Sequence, residues 1–215
     1  LVEDQSDLGS CSGNAVVSAY ELLLKQLYPE SWTNLSRLFV YYNARIYEGT
    51  VDEDSGATIR NSLKGLAKYG VCKESIWPYD ISKYAIVPSS DAYSDGLPRA
   101  ITRYERTTST DAILDAINTN YPVVIGTLIY GSFFDLDSNN AVMSKQGPTD
   151  YVVGGHALTL VGYDLEQQQY LVENSFGSDW GIGGYCWMPF SYADQNLLES
   201  WVYYIPTPSA TTLVD

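Results

Sequence analysis

The stretch "DQSDLGSCSGNA", residues 4–15, frames the reading of the chain. Gln5, then Gly9 and Ser10, then Cys11 lead straight into a helix-like run. In that run Ala15, Val16, Ala19, Leu22, Leu23 and Leu27 recur at three- and four-residue steps. Ser10 is placed to cap the helix and Pro29 to stop it. Cys11 then falls in the first turn, where the positive end of the helix favours a thiolate. Two readings compete for it. It is a small buried hydrophobe at a helix start, or a nucleophile with an oxyanion donor, Gln5, six residues upstream.

Composition narrows the field. A chain of 215 residues with 45% hydrophobic and 18% charged residues is globular, long enough for one large domain or two small lobes. A net charge of −14 with no basic patch argues against a nucleic-acid partner. No apolar run approaches the roughly 18 residues of a membrane span, so no membrane span is expected. Three cysteines, Cys11, Cys72 and Cys186, and one histidine, with no CxxC and no HxxxH, fit no zinc pattern. No metal or cofactor is expected. An odd cysteine count leaves at least one thiol free or paired outside the chain.

The helical signals continue with Leu35 to Tyr47, ending at Gly49, and with Thr58 through Leu66 and Ala67 to Gly70. Residues 75–98, with three prolines, read as a connecting loop region. The second half opens with a short helix, Ser109 to Asn118. Strand-like runs follow: "YPVVIGTLIY", "HALTLVGYD", "YLVENSF", "GGYCWMPF" and "ESWVYYIP". Residues 164–169 suit a hairpin loop. The expected architecture is α+β, with a mainly helical lobe at 1–98, a mainly antiparallel β lobe at 99–215 and a cleft between them.

A nucleophilic cysteine needs a base, and His156 is the sole candidate. It sits after Gly154 and Gly155, at the expected start of a strand. By itself it is as readily an ordinary partly buried histidine. In "ENSFGSDWGIGGY", residues 173–185, Asn174 at a strand end offers a carbonyl that can accept from an imidazole N–H. Phe176 and Trp180 are placed to shield that bond from water. The bland alternative is a glycine-rich hairpin with aromatic packing.

Taken together, in this order and spacing, these segments resemble the papain family of cysteine peptidases. That family carries Q-x-x-x-x-x-C, with G-S before the cysteine, as in Gln5 to Cys11. Its histidine stretch runs into a V-G-Y strand, as "GGHALTLVGYD" does. Its N-S-W-G-x-x-W-G-x-x-G-Y block is matched by "NSFGSDWGIGGY" with one change. The resemblance also covers "SGATIRNSLKGLAKYGVCKESIWPY", and so nearly the whole chain.

The resemblance implies a papain-like two-lobe fold. It implies peptide hydrolysis through a thioester, with Cys11 as nucleophile, His156 as base and then acid, and Asn174 as orienter. The oxyanion hole is expected from the Gln5 side chain and the Cys11 N–H. Ser55 and Gly56 fall at the family's Gly-Gly turn, with Gly56 the expected backbone clamp. Ala157, Gly126 and Thr58 are expected to line a roomy second-subsite pocket. Asp52, Glu53 and Asp54, just before the clamp, are either a solvated acidic loop or a lure for basic groups.

Three departures stand out. Leu8 stands where many members have a cysteine, so that disulfide is absent. Ser12 and Phe176 replace tryptophans, which changes cleft shape rather than chemistry. The poverty in disulfides points to a microbial or viral branch and leaves the compartment open: secreted or lysosome-like, or intracellular in a microbe or virus. The expected partners are protein or peptide substrates and an inhibitory propeptide outside this chain, and the expected state is a monomer. A same-fold transpeptidase or amidase and a catalytically silent peptide-binding homologue are the alternatives.

Overall fold

The computed structural model describes residues 2–208, so residue 1 and residues 209–215, the outer ends of the two expected lobes, lie outside the description. The described residues divide into two compact units. One comprises residues 6–105 with 203–208, and the other residues 2–5 with 106–202.

The first unit is helical. Helix α1 is Cys11–Leu27, α2 is Arg37–Glu48 and α3 is Ile59–Tyr69. α2 packs on both of the others. Side-chain caps explain the starts of two of these ranges. Ser36 and Thr58 stand just outside α2 and α3, and their hydroxyls accept the N–H groups of Phe39 and Asn61. Gly49 closes α2 in the left-handed conformation, φ 74°. The apolar stripes meet in a core that fully buries Leu23, Leu35, Leu38, Phe39, Leu63 and Leu66. At Gly13 the α1 backbone comes so close to α2 that an added Cβ would meet the Arg37 carbonyl oxygen at 3.0 Å.

The expected loop region at 75–98 contains a short helix, α4, Ser90–Gly96. Ser89 caps it by accepting the Ala92 N–H. It buries only Ala92 and Gly96, too little apolar surface to leave a periodic signature.

The second unit is built on a sheet. Strand β1, Arg103–Arg106, reaches this unit only at its last residue, and helix α5 is Thr110–Asn118, capped by Ser109. The strands that follow are β2, Val123–Tyr130; β3, Val152–Asp164; β4, Gln169–Glu173; and β5, Tyr185–Pro189. Helix α6, Phe190–Asn196, and β6, Leu197–Tyr204, complete it. Sheet order is β1-β6-β2-β3-β4-β5, and each pairing from β6 through β5 is antiparallel. Ile125, Leu158, Leu160, Tyr170, Val172 and Met188 form its core.

Strand β3 starts four residues before His156, not at it. Gly154 and Gly155 read as a break in sequence, yet they pair with Ile129 and Leu128 and lengthen the ladder. Residues 2–5 belong to this unit because they are zipped onto the segment after β4. The Gln5 N–H donates to the Ser175 carbonyl at 2.8 Å, and the Gly177 N–H donates to that of Glu3 at 2.9 Å.

Candidate active site

Cys11 is the first residue of α1 and is half-buried. The other two thiols are fully buried and neither is in a disulfide. Burial pushes the Cys72 thiol up to about 12 and the Cys186 thiol higher still. Both are thereby held as thiols, which carry little nucleophilic character.

Ser10 occupies the cap position of α1, but its side chain does not cap. It is drawn instead into a ring of polar side chains. Ser10 Oγ shares a 2.5 Å hydrogen bond with Tyr79 Oη and accepts from Asn14 Nδ2 at 2.9 Å. Arg37 Nη1 donates to Asn14 Oδ1 at 2.9 Å, and its guanidinium lies 3.9 Å over the Tyr79 ring. The residue before Cys11 is thus fixed by α1, α2 and the 77–80 segment together.

The expected clamp turn lies in the same unit. Gly56 has φ 72°, in the left-handed region that glycine enters without strain. Its N–H donates to Tyr41 Oη at 3.1 Å, and its carbonyl accepts from Ser55 Oγ at 3.1 Å. Both backbone groups of Gly56 therefore have partners within the chain. The Thr58 hydroxyl is committed too: it donates to Glu48 Oε1 at 3.0 Å while capping α3.

In the sheet unit, His156 and Asn174 come together. His156 Nε2 and Asn174 Oδ1 are 2.8 Å apart, and the residues are 7% and 4% exposed. As the amide oxygen can only accept, Nε2 carries the proton and Nδ1 is left as the basic nitrogen. The strand pairing places His156 opposite Thr127, and the next rung places Ala157 opposite Gly126. Two of the expected pocket residues thus face each other across neighbouring strands.

The aromatic cluster beside His156 includes more rings than the two singled out from sequence. Phe176 lies 5.1 Å from the His156 ring, and Phe133 lies 5.6 Å from it. Trp180 packs 4.8 Å from Phe133 and 5.8 Å from Phe176, its indole N–H donating to the Phe133 carbonyl at 3.1 Å. Phe134 stacks on Phe176 from outside. The two phenylalanines arrive from the turn after β2, where nothing in the sequence marks them as neighbours of the histidine.

Gln5 is 8% exposed and held at two points. Its backbone N–H is bonded to Ser175 as above, and its Oε1 accepts from Ser175 Oγ at 2.6 Å. The hydroxyl fixes which end of the amide is the acceptor. Ser175 follows Asn174 directly, so one short segment holds both the histidine and the glutamine. Among the described residues, no group of three or more His, Cys, Asp or Glu could hold a metal ion, and no helix is long and apolar enough to cross a membrane.

Comparison with known proteins bears on the chain as a whole. The profile described as papain family cysteine protease matches residues 1–205. An uncharacterised peptidase C1-like protein of Acanthamoeba polyphaga mimivirus is 36% identical over 211 residues, covering 93% of this chain and 68% of that protein. The crystal structure of xylellain, a cysteine protease from Xylella fastidiosa, superposes with a TM-score of 0.85 at 33% identity, covering 96% of this chain and 83% of that one. The Carica candamarcensis cysteine protease CMS1MS2, solved with E-64, shares the fold at a TM-score of 0.72 and 22% identity, over 94% and 92% of the two chains. The match spans both units, and with it the chain belongs to the papain family of cysteine proteases and is a papain-like cysteine peptidase.

Proposed function

We propose that the chain is an endopeptidase in which Cys11 attacks the scissile carbonyl and His156 manages the proton. The observation that carries this reading is the buried 2.8 Å bond between His156 and Asn174. It fixes the imidazole tautomer, leaves Nδ1 basic, and stabilises the imidazolium once it forms. The thiolate of Cys11 adds to the carbonyl carbon. The tetrahedral oxyanion is stabilised by the Gln5 side-chain amide and the Cys11 N–H. Collapse breaks the C–N bond, with the imidazolium giving its proton to the leaving amine and a thioester remaining on Cys11. Water then adds to the thioester while His156 accepts its proton. The second collapse releases the acid and restores the thiol.

The substrate backbone is best held at Ala57. The Gly56 groups are used internally, whereas the Ala57 N–H and carbonyl make no hydrogen bond among the described residues. The small residues Gly126 and Ala157 favour a roomy pocket for the neighbouring side chain. The test is digestion of a peptide library by the wild type and by Cys11→Ala. Internal cleavage by the wild type alone supports the proposal. Acyl transfer to an added amine without net hydrolysis favours a transferase. Tight binding with no turnover favours a silent homologue.

A further inference from the structure

We propose that Asp54 and Tyr41 form a non-covalent tie that registers the substrate clamp on the nucleophile's turn. This rests on the peptidase reading above. Many relatives are expected to have a disulfide beginning at the position of Leu8, which this chain lacks. The residue next to Leu8 is tied in another way. The Gly9 N–H donates to both oxygens of the Asp54 carboxylate, at 3.1 and 3.0 Å. Tyr41 donates its hydroxyl to Asp54 Oδ1 at 2.5 Å, and the same phenolic oxygen accepts the Gly56 N–H at 3.1 Å. A continuous path of hydrogen bonds therefore runs from Gly9, two residues before Cys11, to Gly56, one residue before Ala57.

The rest of the environment holds this path in one arrangement. Tyr41 is fully buried, and burial, followed by the Asp54 hydrogen bond, raises its phenol well above the ordinary value. It remains a protonated donor. Arg45 is fully buried as well, and its guanidinium lies 4.2 Å from the Tyr41 ring centre. Arg45 Nη1 donates to the carbonyls of Val51 and Glu53 at 2.9 and 2.7 Å, and Nη2 donates to that of Tyr84. The 51–54 loop is thus fixed on both sides of the carboxylate. A Cβ on Gly9 would lie 3.0 Å from Asp54 Oδ1, so the turn and the carboxylate are already in contact. Within the acidic loop, Asp54 differs from Asp52 and Glu53 because its charge is spent on the turn before Cys11.

Registration matters only to a substrate long enough to reach the clamp. The test compares two esters with one leaving group. The first is an acylated single amino acid, and the second is extended by two residues. The readout is the ratio of their kcat/KM values. Losing one hydrogen bond to a charged acceptor corresponds to about 10- to 100-fold. Tyr41→Phe and Asp54→Ala should each cut the wild-type ratio by about that factor, the loss falling in kcat for the longer ester. Asp54→Asn, which keeps one acceptor oxygen, should fall between wild type and Asp54→Ala. If Asp54→Ala does not fold, Tyr41→Phe, which removes a single oxygen, carries the test. A ratio unchanged in folded variants, or equal losses on both esters, overturns the tie while leaving the peptidase reading intact. No hydrolysis of either ester by the wild type sinks the peptidase reading, and this inference with it.

Discussion

Removal of the Gln5 side chain separates transition-state stabilisation from every other role that the site could serve. In Gln5→Ala the local backbone keeps its anchors, because Gln5 N–H to Ser175 and Gly177 N–H to Glu3 are main-chain bonds. The substitution therefore removes one amide and leaves the Ser175 hydroxyl without its 2.6 Å acceptor. An unsatisfied buried polar group costs about 1–3 kcal/mol of stability. An oxyanion donor contributes about 2.7–4 kcal/mol to the transition state, or about 100- to 1,000-fold in rate. The expected outcome is a fall of that size in kcat on a chromogenic peptide anilide, with KM little changed. Alkylation of Cys11 by iodoacetamide forms no oxyanion and should stay close to the wild-type rate. Gln5→Glu keeps an acceptor for Ser175 but presents an oxygen where a donor is needed, and should be at least as slow. A kcat for Gln5→Ala within about threefold of wild type, far from the expected loss, would show that Gln5 is not an oxyanion donor.

Cys11→Ala and His156→Ala should each abolish hydrolysis without unfolding the protein. The double variant should be no slower than the worse single, because nucleophile and base act as one unit; additive losses would argue against a shared step. Ser175→Ala should lower kcat by about 2- to 13-fold, the rate equivalent of one neutral hydrogen bond, with KM preserved; a loss as deep as that of Gln5→Ala would mean that Ser175 does more than orient the amide. Stability should fall as pH rises above about 9. There the unfolded chain gives up the Cys72 proton at the ordinary cysteine value of 9.0, while burial lets the folded chain keep it until about 12. The unfolded state then binds fewer protons, and the slope is about −1.4 kcal/mol per pH unit from this group. Urea midpoints that stay level between pH 9 and 11 would contradict it.

The legible parts of the chain were those set by local pattern. Helices α1, α2 and α3 carry apolar steps of three and four, and hydroxyl caps at Ser36, Thr58 and Ser109 mark the starts of α2, α3 and α5. Helix α4 and strand β1 bury too little side-chain surface to leave such a pattern. The start of β3 was hidden because glycines punctuate a sequence but can still pair in a ladder. Gln5, Cys11, His156 and Asn174 could be singled out as candidates because their order and spacing are distinctive. Their supports could not. Ser175 meets Gln5 across 170 residues, and Asp54 meets Gly9 across 45. Ser10 reads as an ordinary cap, and only the fold shows its hydroxyl turned to Tyr79 and Asn14. Such pairings are products of topology, to which periodicity and motif spacing are blind.

The central claim, that Cys11 is the nucleophile of a cysteine peptidase, is tested most directly by intact-mass and peptide-mapping analysis after incubation with E-64, followed alongside hydrolytic activity. The account predicts one adduct per chain, located on Cys11, formed in step with loss of activity, while buried Cys72 and Cys186 stay unmodified. An adduct on another residue, or full activity with Cys11 modified, would contradict it.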